Sequence, residues 1–243
     1  MPSINVNHDL ADRSLFLAWS GHLGSDAERE TCFDNVRIPQ ICEGVGVSGV
    51  QSFLPDPVKP LPGTGVVDFG HVAWYELSGQ PGQFPGRSET HLVSDGKSVP
   101  EGIGNPGRAL FLSAAGPALE TPEADHFDLA ERHLFFAWAG YTGAYETFAH
   151  WYDTVHLPDL LGVPGVVRAQ RFLPETVTPV PGVVVPDLGH VAVYEVRGSL
   201  VPVRDALKDQ LLAGRLQLSD QMNGSNKVMF LRPASPYLSA DGR

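Results

Sequence analysis

The chain has 243 residues, of which 42% are hydrophobic and 19% charged; that is enough apolar material for a packed core and excludes a disordered chain. The net charge is -11 and Lys and Arg are nowhere clustered, which excludes the basic face a nucleic-acid partner needs. No run of about 18 apolar residues occurs, and the start, MPSINVNHDLADRS, lacks the basic and apolar stretches of a signal peptide, so a cytoplasmic protein without membrane partners is expected.

Slid along itself so that Arg13 falls on Arg132, a shift of 119, the chain matches without a gap. RSLFLAWSGHLG (13–24) meets RHLFFAWAGYTG (132–143), and VQSFLPDPVKPLPG (50–63) meets AQRFLPETVTPVPG (169–182). VVDFGHVAWYELSG (66–79) meets VPDLGHVAVYEVRG (185–198), and RALFLSAAGP (108–117) meets KVMFLRPASP (227–236). A self-match of this kind predicts one fold unit of roughly 110 residues present twice. The units are 1–117 and 132–243, and the polar stretch 118–131 reads as their linker.

The first unit keeps the strand segments, but 80–107 is so rich in Gly and Pro that at best a short helix in a long loop is expected there. In the second unit, Leu134 to Tyr141 is apolar and aromatic-rich and reads as a strand. Residues 144–156 carry Phe148, Tyr152 and Val155 at helical spacing, and Pro158 should end that helix near His156. Gly165 to Leu173 is a second strand, His190 to Val196 a tightly alternating third, and Lys227 to Arg232 the last. Between the last two, 201–222 reads as a helix with Leu207, Leu211 and Leu212 on one side. The order βαββαβ gives an α+β class of two tandem ferredoxin-like units. One such sheet leaves an apolar face that its own helices do not cover. The two units can cover each other inside the chain as a pseudo-symmetric barrel, or each can pair with another chain, and a homodimer stays open.

WYDTVHLPDLLGVPG (151–165) carries the densest chemistry, and its first-unit counterpart CFDNVRIPQICEGVG (32–46) replaces the aromatic pair by Cys32 and Phe33 and the histidine by Arg37. His156 at a helix C-terminus would be favoured in its protonated form, with Asp153 one turn back to orient a ring nitrogen. A capping cation would explain the same position, as Arg37 suggests. His190, Ala192 and Tyr194 share one face of a strand, so two polar-tipped rings flank a small residue, and His71 and Tyr75 repeat the arrangement. Such a pair can handle two protons of one substrate, or can simply hold a duplicated architecture together. Phe148, Trp151, Tyr152, Tyr145 and Trp138 either line an apolar pocket or fill the core. His150, Asp153 and His156 fan out over about 120° of helix surface, so no metal site is expected. No nucleophile elbow G-x-S-x-G is present. Cys32 and Cys42 fall where the second copy has Trp151 and Leu161, and read as packing residues.

Trp151, Tyr152, Asp153, His156, Pro158, Pro164, Gly165 and Val166, leading into GVVRAQRF, resemble the EthD-like group of dimeric α/β-barrel proteins. The resemblance is good over the second half and departs at Cys32, Phe33 and Arg37 in the first. It implies a cavity between each sheet and its helices. Its members oxidise aromatic polyketides without a cofactor, cyclise, isomerise, decarboxylate or dehydrate, and in some branches use haem, so the fold does not fix the reaction. The expected function is a cofactor-independent lyase, cyclase or isomerase acting on a small aromatic or polyketide-like substrate. His156 with Asp153, and His190 with Tyr194, would be the acid–base groups. Trp151, Tyr152, Phe148, Trp138, His71 and Tyr75 would bind the substrate. The alternatives are a cofactor-free monooxygenase, a haem protein with His156 or His190 as ligand, and a non-catalytic ligand-binding module.

Overall fold

The computed structural model describes residues 3–20, 46–61, 63–66, 70–77, 108–175, 189–222 and 226–239. The strands among them are β1 (Asn5–Asn7), β2 (Ser14–Ser20), β3 (Val47–Pro55), β4 (Gly65–Val66), β5 (His71–Leu77), β6 (Arg108–Ala114), β7 (Ala118–Glu120), β8 (Arg132–Trp138), β9 (Val166–Pro174), β10 (Val191–Arg197), β11 (Lys227–Pro233) and β12 (Leu238–Ser239). The described α- and π-helical segments belong to the second half: α1 (Tyr145–Trp151), a π turn (Tyr152–His156), α2 (Leu157–Leu161) and α3 (Leu200–Leu212); short 3-10 turns lie at His8–Leu10, Pro122–His126 and Leu129–Glu131. The helices expected in the first half, with Cys32, Phe33, Arg37 and Cys42, lie outside the described residues.

Eight strands close into an antiparallel barrel in the order β9-β10-β8-β11-β3-β5-β2-β6, with β6 returning to β9. Each half contributes four neighbouring strands in the ferredoxin-like order, so the sheets cover each other within one chain. The two seams obey the sequence shift: Leu231 faces Pro55 at one and Leu112 faces Pro174 at the other. The added strands β12 on β3 and β7 on β9 follow the same relation, with Leu238 opposite Val50 and Leu119 opposite Ala169. The segment expected to be a polar linker is therefore partly sheet, since β7 bonds to β9 and to β1. Its backbone donors and acceptors find partners there, as a segment packed on a sheet requires.

Both faces of the barrel strands are buried, which is why β8 reads as the nearly continuous apolar run LFFAW. Leu134, Phe136 and Trp138 point into the barrel with Val191, Val193, Trp74 and Phe53. Phe135 and Ala139 point out, under the helices, with Ala192, Tyr194 and Phe230.

Charge sits inside the barrel at one end. Arg13 donates to Glu76 at 2.6 Å and to Glu195 at 2.9 Å, while Arg132, fully buried, donates to Glu76 at 3.0 Å. Arg13 and Arg132 are counterparts under the shift, and so are Glu76 and Glu195. Both arginines lie over the Trp74 ring, at 5.2 and 5.1 Å. Burial alone would raise the Glu195 carboxyl, but Arg168, Arg13 and Arg132 outweigh it and hold it down at about 2. Glu76 is held well below the usual carboxylate range in the same way, by Arg13 and Arg132. Gln51 and Gln170, another matched pair, reach across to the opposite half and donate to the carbonyls of Ser235 and Gly116.

The helix layer departs from expectation at Pro158. The helix does not stop near His156; it widens by one π turn and continues as α2 with Pro158 in its first turn. Leu157 N–H reaches back five residues to Tyr152 O, and Pro158, having no N–H, is tolerated where a new helical turn begins. The chain then leaves α2 through Gly165, whose φ of 97° favours glycine, and enters β9; Gly46 makes the matching turn before β3 at 96°. In α3 the buried residues are Leu200, Val203 and Leu207, whereas Leu212, expected on the packed side, is 74% exposed.

Two stability outcomes follow from the charged end. Arg13→Met removes the cation that bridges two buried carboxylates and is expected to cost about 3–5 kcal/mol in urea unfolding, against a few tenths for a surface arginine such as Arg215. Gly49→Ala puts a Cβ 1.9 Å from the Tyr237 hydroxyl, which otherwise donates to Glu76 at 3.0 Å. Its expected cost of about 1–3 kcal/mol should largely vanish in a Tyr237→Ala background; a cost unchanged in that background would contradict this packing.

Candidate active site

The site is built on the outward face of β8, β9 and β10. Their register sets the floor: Ala137 and Arg171 flank Ala192, and one step on Phe135 and Ala169 flank Tyr194. Two alanines side by side leave a depression, and Ala137 is only half-buried although it lies on a central strand. His190, just before β10, has the same parity and stands at the other end of the depression from Tyr194.

The helix supplies the roof, and the π turn decides which side chains form it. Four residues along an α-helix carry a side chain forward by about 40°, and four along the wider π turn set it back by about 30°. Phe148, Tyr152 and His156 therefore line up over the sheet, and all three are buried. The Tyr152 ring centre is 4.6 Å from that of His190, 4.7 Å from His156 and 5.4 Å from Phe148. Trp151 stacks on His156 at 5.0 Å, and Phe135 stacks on Tyr194 at 5.1 Å. The structure thus gathers His156, His190, Tyr194, Tyr152, Phe148 and Trp151 in one cluster.

Four buried polar atoms of this cluster have no hydrogen-bond partner: both ring nitrogens of His190, Nδ1 of His156 and the hydroxyl of Tyr194. The Tyr152 hydroxyl lies beside that of Tyr194 without forming a well-aligned bond. Buried polar groups are normally paired, so these four atoms call for a partner from outside the chain, an ordered water or a bound molecule. Burial pushes His156 down to about 4. Burial, then the charge of Arg171, then His156, push His190 down to about 3. Burial lifts Tyr152 to about 12 and Tyr194 well above the ordinary phenol. At neutral pH the cluster holds two uncharged imidazoles and two uncharged phenols. The expectation that a helix C-terminus would favour protonated His156 is overturned, because His156 lies inside a continuing helix and away from water.

Asp153 is not the partner of His156. Its carboxylate accepts from Arg171 Nε and Nη2, both at 2.5 Å, and Arg171 Nη1 donates to the Tyr145 hydroxyl at 3.1 Å. The π turn rotates Asp153 toward β9, away from the imidazole. Arg171, 3% exposed, is the functional candidate that the sequence reading missed. Its signal was a cation in the apolar strand VVRAQRF on the parity of Ala169, which faces the helices.

Three other expected residues lie elsewhere. Trp138 has the parity of Leu134 and Phe136 and packs inside the barrel, so it does not line the site. His71 and Tyr75 sit on the matching outward face of β5, which is four strands round the barrel from β10. They share the arrangement of His190 and Tyr194 but not their site. Among the described residues no three His, Cys, Asp or Glu side chains gather as metal ligands. Haem fits the cluster poorly: Phe148 and Tyr152 stand against the His190 ring, and Trp151 and Tyr152 against His156, where a macrocycle would have to lie. No described helix is long and apolar enough to cross a membrane.

No protein-family profile and no curated protein matches the chain. Solved structures do. A "putative monooxygenase" from Lactobacillus acidophilus NCFM superposes with a TM-score of 0.55 at 10% identity, over 94% of this chain and 97% of that one. An anthrone oxidase-like protein gives 0.54 at 10% identity, over 98% and 97%. A mutant chlorite dismutase from Candidatus Nitrospira defluvii gives 0.53 at 9% identity, over 92% and 93%. At such identities the likeness is one of fold: the chain has the α+β barrel architecture of the dimeric α/β-barrel proteins, closed here within a single polypeptide.

Proposed function

We propose that the second half carries a cofactor-independent proton-transfer site for a small, largely apolar aromatic or polyketide-like molecule. The observation that carries this reading is the set of unpartnered atoms on His190, His156 and Tyr194, enclosed by Phe148, Trp151, Tyr152 and Phe135. An imidazole that is uncharged at neutral pH is free to accept a proton, and a phenol that stays protonated is free to donate one. His190 takes a proton from an acidic carbon or phenol of the substrate. Arg171, beside it on the floor, stabilises the anion electrostatically. Tyr194 or the newly protonated imidazole returns a proton at a second atom, which completes an isomerisation, cyclisation or elimination. In this reading the chain is an EthD-like enzyme that arose by tandem duplication of a unit now at 1–117 and 132–243, and its second half kept the chemistry.

A second fate of the same anion is favoured by the fold neighbours described as a monooxygenase and as anthrone oxidase-like. Dioxygen would react at the carbanion carbon of a methylene group, one oxygen atom becoming the carbonyl and the other leaving as water. The same base starts both reactions, and oxygen uptake separates them.

Anthrone serves as the first probe, followed by absorbance and by an oxygen electrode. His190→Ala and His156→Ala are each expected to lower kcat by about a hundredfold or more. Turnover within a few-fold of wild type in both variants would sink the assignment. With the imidazoles held near 3 and 4, kcat/KM should stay flat from pH 8 to pH 5, whereas a fall centred on pH 6.5 would mean an ordinary exposed histidine.

Stability reports the same neutral state. Unfolded imidazoles take a proton near pH 6.5, the folded ones only near 4 and 3, so the unfolded chain binds more protons in between. The histidine contribution is therefore complete above pH 6.5 and is lost as the pH falls toward the folded values. Between pH 7.5 and 5.5, above the range where the buried glutamates titrate, the pair should cost roughly 2–3 kcal/mol. A His156→Gln/His190→Gln variant should flatten that slope in pH-dependent urea unfolding.

A further inference from the structure

The first half also reaches the site. Between β3 and β4 the chain reads PDPVKPLPGTGV (55–66), with four prolines in its first eight residues. It leaves the barrel at Pro55, opposite Leu231, and rejoins the sheet at Gly65–Val66 as a parallel partner of Lys227–Val228. Between these points it crosses to the outward side of β11, where Val58 and Leu61 pack against the cluster that contains Tyr152, Tyr194, Phe135 and Phe230. Its ends are pinned: Asp56 N–H donates to Phe230 O at 2.8 Å, and Gly65 N–H to Asn226 O at 2.9 Å. Its middle is braced by Thr64 Oγ1 donating to Leu61 O at 2.7 Å and by the Asp56 carboxylate accepting from Val58 N–H at 3.1 Å. A proline-rich segment held at both ends has little conformational freedom to lose and acts as a fixed wall.

That wall has a defined place. Phe230 lies beside Phe135 and Val228 beside Ala137, so the strap borders the floor on the β11 side, next to half-buried Ala137. The geometry points to Val58 and Leu61 of the first half as the residues that set how large a ring system the second half's site accepts. This inference rests on the aromatic-site reading above. The first half then contributes more than barrel closure, and the two halves share one composite site. The recognised chemistry is the flat apolar face of a fused-ring phenol or ketone; Val58 and Leu61 bring shape only, and proton transfer stays with the histidines.

The test uses the full chain and a graded set of probes, 1-naphthol with two fused rings and anthrone with three, titrated by calorimetry. Leu61→Phe and Val58→Phe are expected to weaken anthrone at least tenfold while leaving 1-naphthol within about twofold. Val58→Ala and Leu61→Ala are expected to narrow the difference between the probes, and their unfolding midpoints confirm that they fold. Wild-type binding of both probes with ratios unchanged in every strap variant overturns the inference and leaves the aromatic site standing. Failure of the wild type to bind either probe overturns both. His190→Ala separates the two roles: it should lose turnover and leave the anthrone-to-naphthol binding ratio at its wild-type value, since it removes a proton acceptor and leaves the wall in place.

Discussion

The Arg13–Glu76–Arg132–Glu195 cluster is the constraint on which the rest of the structure turns. Four charges taken out of water are tolerable only when each finds opposite charge and hydrogen bonds in the same place. Here that place exists only if both halves arrive in one register, because Arg13 must reach Glu195 of the other half and Arg132 must reach Glu76. Strand parity does the rest. With Glu195 fixed inward, Val193 and Val191 also point inward, and Tyr194, Ala192 and His190 must point out under the helices. A slip of one residue would bury the histidine in the barrel and expel the glutamate. The chemistry outside is thus set by the ion cluster inside.

The cluster also shows where the two matching halves differ. Each glutamate needs a donor for its second oxygen. Glu195 receives Arg168 at 2.8 Å, and Glu76 receives the Tyr237 hydroxyl at 3.0 Å. The position matching Arg168 is Gly49, where a Cβ would collide with Tyr237, and the position matching Tyr237 is Ala118, which is small. One donor enters from the central strand and the other from the chain end, and each partner site is emptied to admit it. Outside the barrel the inequality changes the charge of the surface: Arg171 stands where the first half has Ser52. Asymmetry inside is compensated for charge, whereas asymmetry outside changes what the surface can do.

Much of this was legible in the sequence. The 119-residue shift predicted two like units, and the alternation in HVAVYEV predicted that His190, Ala192 and Tyr194 share a face. The misplacement of Trp138 has a physical cause. Strands buried on both faces look apolar throughout, so alternation gives two classes of residue without saying which faces inward. Arg132 and Glu195 could have decided it, since two buried charges of opposite sign on adjacent strands must point into the same space. The π turn left no comparable sign. Pro158 stops an α-helix by default, and only the packing of Phe148, Tyr152 and His156 on one sheet favours widening the turn instead. Once the turn widens, Asp153 swings toward β9, so the partnership with Arg171 was hidden behind an assumed helical geometry.

The same packing bears on the chemistry proposed for this cluster. A buried polar atom without a partner costs roughly 1–3 kcal/mol, and this layer holds four. A core under selection for stability alone would replace His190 or Tyr194 by an apolar ring of similar volume, as the surrounding phenylalanines show is sterically acceptable. Retaining them makes sense if their atoms are satisfied part of the time by something that enters. The rigid barrel, locked by its charges, keeps two uncharged imidazoles in an environment that would otherwise collapse onto them. That neutrality is a property of the scaffold, since it comes from burial under the widened helix and from the charge of Arg171.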